Sequence, residues 1–159
     1  MTTEQACIDL VEATGQRVGR IDVVTLGAGE QRASDSVLDI PSDYFDSVMK
    51  TNVCAPFWLV KAALTPMRPG SSIITTSSIR ACRPSPDLVH YASTKAAINT
   101  FSKALALQLG AQGIRVGATP LGRPGQPAEC APASVFLASA ESLYVSGETL
   151  GVTGGRPTP

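Results

Sequence analysis

Two kinds of hydrophobic pattern alternate along the chain. Apolar residues recur at helical spacing in some stretches and run together in short blocks in others. Thr3 to about Gln16 has the first kind: Ala6, Ile8, Leu10, Val11 and Ala13 are apolar, with Glu4 and Glu12 between them. A helix is predicted there, capped by Thr2 or Thr3, and Gly15 and Gly19 break its pattern. Ile21 to Leu26 has the second kind, a continuous apolar run of the length expected for a buried parallel strand. A polar connection covers Glu30 to Ile40. Pro41 to Met67 then reads as two helical pieces, with Tyr44, Phe45, Val48 and Met49 as the apolar face of the first. A second strand centres on Ile73 and Ile74, whose β-branched side chains suit a sheet, and runs out at Ser77-Ser78. After a loop with Pro84 and Pro86, a long helix is predicted from about Leu88 to Leu109. Ile114 to Val116 reads as a short strand. A Pro/Gly-rich loop from Thr119 to Glu129 runs into a helix over Pro127 to Ser139, with Cys130, Val135, Phe136 and Leu137 inward. A last short strand is expected over about Glu148 to Val152. Strand and helix in alternation argue for an α/β fold with a parallel sheet of about four strands, in one domain spanning residues 1–159.

Candidate chemistry sits where the second strand ends and the long helix begins. Tyr91 and Lys95 are four residues apart, so both project from one face of that helix. A phenol with an ordinary pKa of about 10 is a poor acid or base at neutral pH. An ammonium one turn away favours its phenolate. Ser78 lies thirteen residues before Tyr91, at the strand end, where a hydroxyl could bond a substrate carbonyl or alcohol. The trio suits proton transfer at an oxygen while a hydride moves at the adjacent carbon. Asn52 interrupts an otherwise apolar helical stretch. A buried amide must find partners, so Asn52 marks either a kink held by a side-chain bond or a functional position. Pro56, four residues later, fits a local break.

The blocks ITTSSI, YASTK and AINTFSKALALQLGAQGIRV resemble the centre of the classical short-chain dehydrogenase/reductase family. The resemblance implies a three-layer Rossmann-like sheet and NAD(P)-dependent interconversion of an alcohol and a carbonyl. It implies Ser78 as the carbonyl-orienting residue, Tyr91 as general acid/base, Lys95 as the group that assists Tyr91 and holds the nicotinamide ribose, and Asn52 as the fourth catalytic residue. It also implies cofactor contacts at Ala28, Gly29, Asn52, Tyr91 and Lys95. Ala28-Gly29 match the end of the family's Asn-Asn-Ala-Gly turn, but Leu26 and Gly27 stand where the asparagines belong. The cofactor implied is NAD or NADP, with the choice left open.

Two family segments are missing from the sequence. The glycine-rich turn that brings backbone N–H groups to a cofactor pyrophosphate has no counterpart. Thr14-Gly15-Gln16-Arg17-Val18-Gly19-Arg20-Ile21 imitates it, but has Ile at the third glycine, and follows a helix instead of a strand. After Val116, the segment that covers the substrate is also nearly absent. The Ile21–Leu26 strand, normally central, would then form a sheet edge. That edge favours pairing across a dimer, and the resemblance implies the helices of Pro41–Met67 and Leu88–Leu109 as the subunit contact, so a homo-oligomer is expected. Two functions follow: an oxidoreductase, or a catalytically impaired remnant that acts as a fragment or oligomerisation partner.

Composition narrows the setting. Thirteen basic and thirteen acidic residues leave no net charge and no electrostatic reason to expect nucleic acid or an anionic membrane as partner. No apolar run is long enough to span a bilayer. Cys7, Cys54, Cys82 and Cys130 lack metal-ligand spacing and read as reduced thiols, mostly core filler, of a cytoplasmic protein. With His90 as the one histidine, a His-rich metal site is not expected. His90, beside Tyr91, could touch a substrate, but reads first as a loop or helix-start residue. A small-molecule alcohol or carbonyl is the partner implied.

Overall fold

A computed structural model describes residues 3–121 and 127–152. Helix α1 spans Glu4–Val18, with Thr3 as its N-cap: the Thr3 hydroxyl accepts the Ala6 N–H at 3.3 Å. Gly19 ends the helix in the left-handed region at φ 82°, its N–H returning to the Gly15 carbonyl. The glycine pair that imitates a phosphate turn is thus a helix C-terminus. Strand β1 follows at Val23–Leu26. Helix α2 is Ser42–Met49, a π-helical turn occupies Lys50–Cys54, and α3 is Ala55–Ala63. The two pieces expected between Pro41 and Met67 are therefore joined without a loop. Strand β2 is Ser72–Ser78, α4 is Val89–Leu109, β3 is Arg115–Leu121 and α5 is Pro127–Ala138.

The three strands form one parallel sheet in the order β1-β2-β3. Val24, Ile73 and Val116 lie side by side on one face; Thr25, Ile74 and Gly117 share the other. Ile73 and Val116 pack with Val60, Ala63, Leu105 and Leu109, so α3 and α4 cover the first face. Thr75 and Ser102 hydroxyls meet at 2.7 Å in that interface. On the other face, Leu137 of α5 lies over Gly117. A Cβ built on Gly117 would come within 3.1 Å of both Leu137 methyl carbons. The result is helix, sheet, helix: the three-layer arrangement predicted.

Several details differ from the expectation. Strand β3 continues five residues beyond Val116 to the level of Ser78, because its register with β2 is unbroken from Ser72↔Arg115 to Ser78↔Leu121. Pro120 is tolerated since β3 is an edge strand, where a missing N–H need not break a ladder. Among the described residues the sheet has three strands; the segment expected as a fourth keeps only isolated bridge residues at Thr149 and Val152. Val135 of α5 and Phe45 of α2 are exposed, not inward. Of the cysteines, Cys7 is buried, while Cys82 is exposed and is not core filler. Strand β1 is an edge, as expected, and on its outer face Val23 is 41% exposed. Among the described residues, no helix is long and apolar enough to cross a membrane.

Candidate active site

Parallel strands deliver their C-terminal ends to one rim of a sheet, and the chemistry-bearing residues collect there. β2 ends at Ser78, whose extended backbone (φ −151°, ψ 155°) leads into a short 3-10 turn, Ile79–Ala81. Its hydroxyl oxygen accepts the Arg80 N–H at 3.2 Å. This cap uses one lone pair and leaves the O–H proton available to a substrate oxygen. β1 ends at Leu26, and Gly27, Ala28 and Gly29 follow it in exposed positions.

Helix α4 supplies Tyr91 and Lys95. Lys95 is 4% exposed, and its Nζ donates to the Thr76 carbonyl at 2.8 Å. Ser77 adds a bond from its hydroxyl to the Lys95 carbonyl at 3.4 Å. The end of β2 thus grips Lys95 by both side chain and backbone. With no carboxylate among the described residues to compensate, burial pulls the ammonium down to about 8. It remains mostly protonated at neutral pH. Nζ lies 5.6 Å from the centre of the half-buried Tyr91 ring. A Cβ on Gly29 would fall 3.5 Å from Lys95 Nζ and 3.7 Å from Asn52 Oδ1, so the glycine backbone lies directly against both groups.

Asn52 sits in the π-helical turn, 1% exposed. Its Oδ1 accepts the Glu30 N–H at 2.7 Å, and its Nδ2 donates to the Glu30 carbonyl at 2.9 Å. The amide therefore pairs with the residue after Gly29 as a neighbouring strand would. The second Nδ2 proton goes to Thr94 Oγ1 at 3.0 Å, and Thr94 in turn donates to the Tyr91 carbonyl at 2.7 Å. Asn52 is thus more than a locally bonded kink; it links three elements.

Asn52, Lys95 and Gly29 are in mutual proximity, with Tyr91 beside Lys95. Ser78 reaches the group through the strand that holds Lys95. Ala28 instead lines a cavity of about 110 Å³ with Leu26, Thr51 and Pro56. Two further participants join the site. Thr94 is fully buried, and Thr76 contributes a carbonyl. A threonine inside a helix, between Tyr91 and Lys95, was the available signal for the first; a backbone acceptor leaves none. His90 is indeed at the helix start, 1% exposed, its ring edge-on to Tyr44 at 5.4 Å.

The donor set fits one end of a nicotinamide dinucleotide. Lys95 Nζ has three N–H donors and spends one on Thr76, which leaves two for neighbouring ribose hydroxyls. Gly29 gives such a group close access. Among the described residues, no glycine-rich turn leads a strand directly into a helix N-terminus, where a pyrophosphate would be anchored.

A family model described as enoyl-(acyl carrier protein) reductase matches residues 1–119. A solved short-chain dehydrogenase/reductase of the glucose/ribitol dehydrogenase type from Brucella melitensis superposes with a TM-score of 0.91 at 28% identity, over 97% of this chain and 71% of that one. The chain belongs to the classical short-chain dehydrogenase/reductase family. Within this family of NAD(P)-dependent oxidoreductases, an NADH-dependent reductase, A1-R′, solved in complex with NAD, superposes at 0.93 with 29% identity, covering 99% of this chain and 73% of that one. The uncharacterized oxidoreductase YhxD of Bacillus subtilis is 37% identical over 188 residues, 99% of this chain and 63% of the relative. This short-chain dehydrogenase/reductase thus spans less than two thirds of that curated relative. The aligned stretch, 188 against 159 residues, also contains positions in YhxD without a counterpart here.

Proposed function

We propose that the chain carries the catalytic half of an NAD(P)-dependent oxidoreductase that interconverts an alcohol and a carbonyl. The observation that carries this reading is Lys95: an ammonium 4% exposed, without a carboxylate partner among the described residues and held between the Thr76 carbonyl and Gly29. A buried uncompensated charge is costly and survives where function requires it.

The dinucleotide, when bound, supplies or takes up the hydride. The chain handles the rest. Tyr91 takes the proton of the substrate hydroxyl in oxidation and returns it to the carbonyl oxygen in reduction. Ser78 donates its free O–H to the same oxygen. Lys95 adds positive potential beside the Tyr91 ring and offers two donors to the nicotinamide ribose. Asn52 holds Gly29-Glu30 against Lys95, and with Ala28 this turn lines the cofactor side. A small alcohol or carbonyl is the substrate class, in a cytoplasmic homo-oligomer.

A second reading is favoured by the exposed β1 edge and by the lack, among the described residues, of a glycine-rich strand-to-helix turn: a catalytically impaired remnant that acts as a fragment or oligomerisation partner. Losing several charge-assisted hydrogen bonds of about 1.5–3 kcal/mol each would carry a micromolar cofactor affinity towards millimolar. Titrating NADH and NADPH against the purified chain by nicotinamide fluorescence, with the oligomeric state measured on the same sample, separates the two. Saturation in the micromolar range supports the enzyme; no binding up to millimolar, from a folded sample, establishes the remnant. Under the enzyme reading, Tyr91→Phe abolishes turnover while the fold is kept, and unchanged turnover would sink the role given to Tyr91.

A further inference from the structure

Thr94 stands between the two halves of the site and has no role in the reading above. Its side chain is completely buried, on the α4 turn between Tyr91 and Lys95. The Thr94 hydroxyl has one proton, and the structure sends it to the Tyr91 carbonyl at 2.7 Å. That leaves the oxygen as an acceptor, and Asn52 Nδ2 donates to it at 3.0 Å. The helical pattern pairs the same Tyr91 carbonyl with the Lys95 amide four residues on. One directed chain of donors therefore runs from the Asn52 amide, through Thr94, to the peptide group that spaces Tyr91 from Lys95. Each donor in such a chain polarises the next.

We infer that Thr94 is a positioning residue: its hydroxyl locks the Asn52 amide to the Tyr91–Lys95 turn and so fixes the distance between the Gly29-Glu30 backbone and Lys95. The inference rests on the oxidoreductase reading for its catalytic consequence, but not for its structural one. Asn52 is itself 1% exposed, so bulk water does not reach the second Nδ2 proton that Thr94 accepts. Glu30 is held from a second side as well: its carboxylate accepts the Ser47 hydroxyl at 3.1 Å. With Glu30 anchored on α2 and Asn52 anchored on Glu30, the Thr94 bond is the direct polar tie from Asn52 to α4. Lys95 stays held by β2, so the loss of the Thr94 bond releases the Gly29-Glu30 turn, carried by Asn52, from its register with Tyr91 and Lys95.

The test compares Thr94→Val, which keeps the shape and removes the hydroxyl, with Thr94→Ser, which keeps the hydroxyl. The first readout is independent of activity. In the nitrogen-15 spectrum of the purified chain, the Asn52 side-chain amide, assigned by its absence from Asn52→Asp, is expected to be protected from solvent exchange. Thr94→Val should lose that protection by about tenfold or more, the factor that corresponds to about 1.4 kcal/mol, while Thr94→Ser stays near wild type. The second readout is kinetic. Thr94→Val should lower kcat by a similar factor with the KM for the nicotinamide cofactor little changed, and Thr94→Ser should restore kcat. Equal protection in all three proteins overturns the inference. So does loss of fold in both Thr94→Val and Thr94→Ala while Thr94→Ser folds, since the residue then serves stability alone. An inactive wild type whose Asn52 amide still responds to Thr94 refutes the oxidoreductase reading and leaves the positioning contact standing.

Discussion

Replacing Lys95 with methionine should make the protein more stable and less useful. The ordinary ammonium value of 10.5 falls to about 8 in the folded chain because burial disfavours the charge. At about 1.4 kcal/mol per tenfold change, the charge costs roughly 3 kcal/mol of folding free energy. Below about pH 8 the ammonium is protonated in both folded and unfolded chains, and the cost is present in full. Between 8 and 10.5 the folded chain releases its proton while the unfolded chain keeps it. The unfolded state then binds more protons, so stability rises with pH. Above 10.5 both are neutral and the cost is gone. Lys95→Met removes the cost at every pH and also the bond to the Thr76 carbonyl, which takes back about 1–2 kcal/mol independently of pH. The variant should therefore gain about 1–2 kcal/mol at pH 7 and lose that advantage by pH 10.5. Urea unfolding of both proteins at pH 7, 8, 9 and 10, followed by far-UV circular dichroism, measures the difference, and other titrations common to both cancel. The gap between their midpoints should change by about 1–2 M across the series. Parallel curves, with a gap independent of pH, would refute the claim that Lys95 is an uncompensated buried charge.

Other outcomes follow from single contacts. Gly117→Val should destabilise the chain by about 1–3 kcal/mol, because the new side chain meets both Leu137 methyls at the α5 interface. Adding Leu137→Ala should recover part of that loss, so a double-mutant cycle by thermal melting should be clearly non-additive. Ser78→Ala removes both the cap on the Arg80 N–H and the donor aimed at substrate. It should cost about 1 kcal/mol in stability and, in an active preparation, roughly a hundredfold in kcat. Retained kcat would remove Ser78 from the reaction.

The elements legible in the sequence were those whose burial is written in one stretch. The run Ile21–Leu26 contains β1, Ile73-Ile74 lie in β2, and the apolar spacing from Ala92 to Leu109 marks α4. Tyr91 and Lys95 share a helix, so four-residue spacing was enough to bring them together. The extension of β3 through Pro120 was not legible, because proline argues against a strand except at an edge, and only the pairing with β2 defines that edge. Phe45 and Val135 looked inward because helical periodicity gives a face but not what covers it. Asn52 was visible as an anomaly, but its partners were not: Glu30 lies twenty-two residues before it and Thr94 forty-two after it. The burial of Lys95 likewise depends on β2 and on Gly29, elements remote in sequence, so its lowered pKa is a property of the fold alone.

The π-helical turn at Lys50–Cys54 has a consequence for insertions and deletions. Ala55 returns its N–H to Lys50, five residues back, so the turn holds one residue more than a regular helix needs. Each residue of an α-helix advances the chain about 100° around its axis. The surplus therefore resets the phase between α2, which buries Val48, and α3, which buries Val60 and Ala63 against Ile73. Deleting one residue here would restore a regular helix and rotate Val60 and Ala63 out of the core, with Asn52 turned away from Glu30. Substitutions within the turn can be absorbed locally; a change in its length would disconnect the site from the core in a single step.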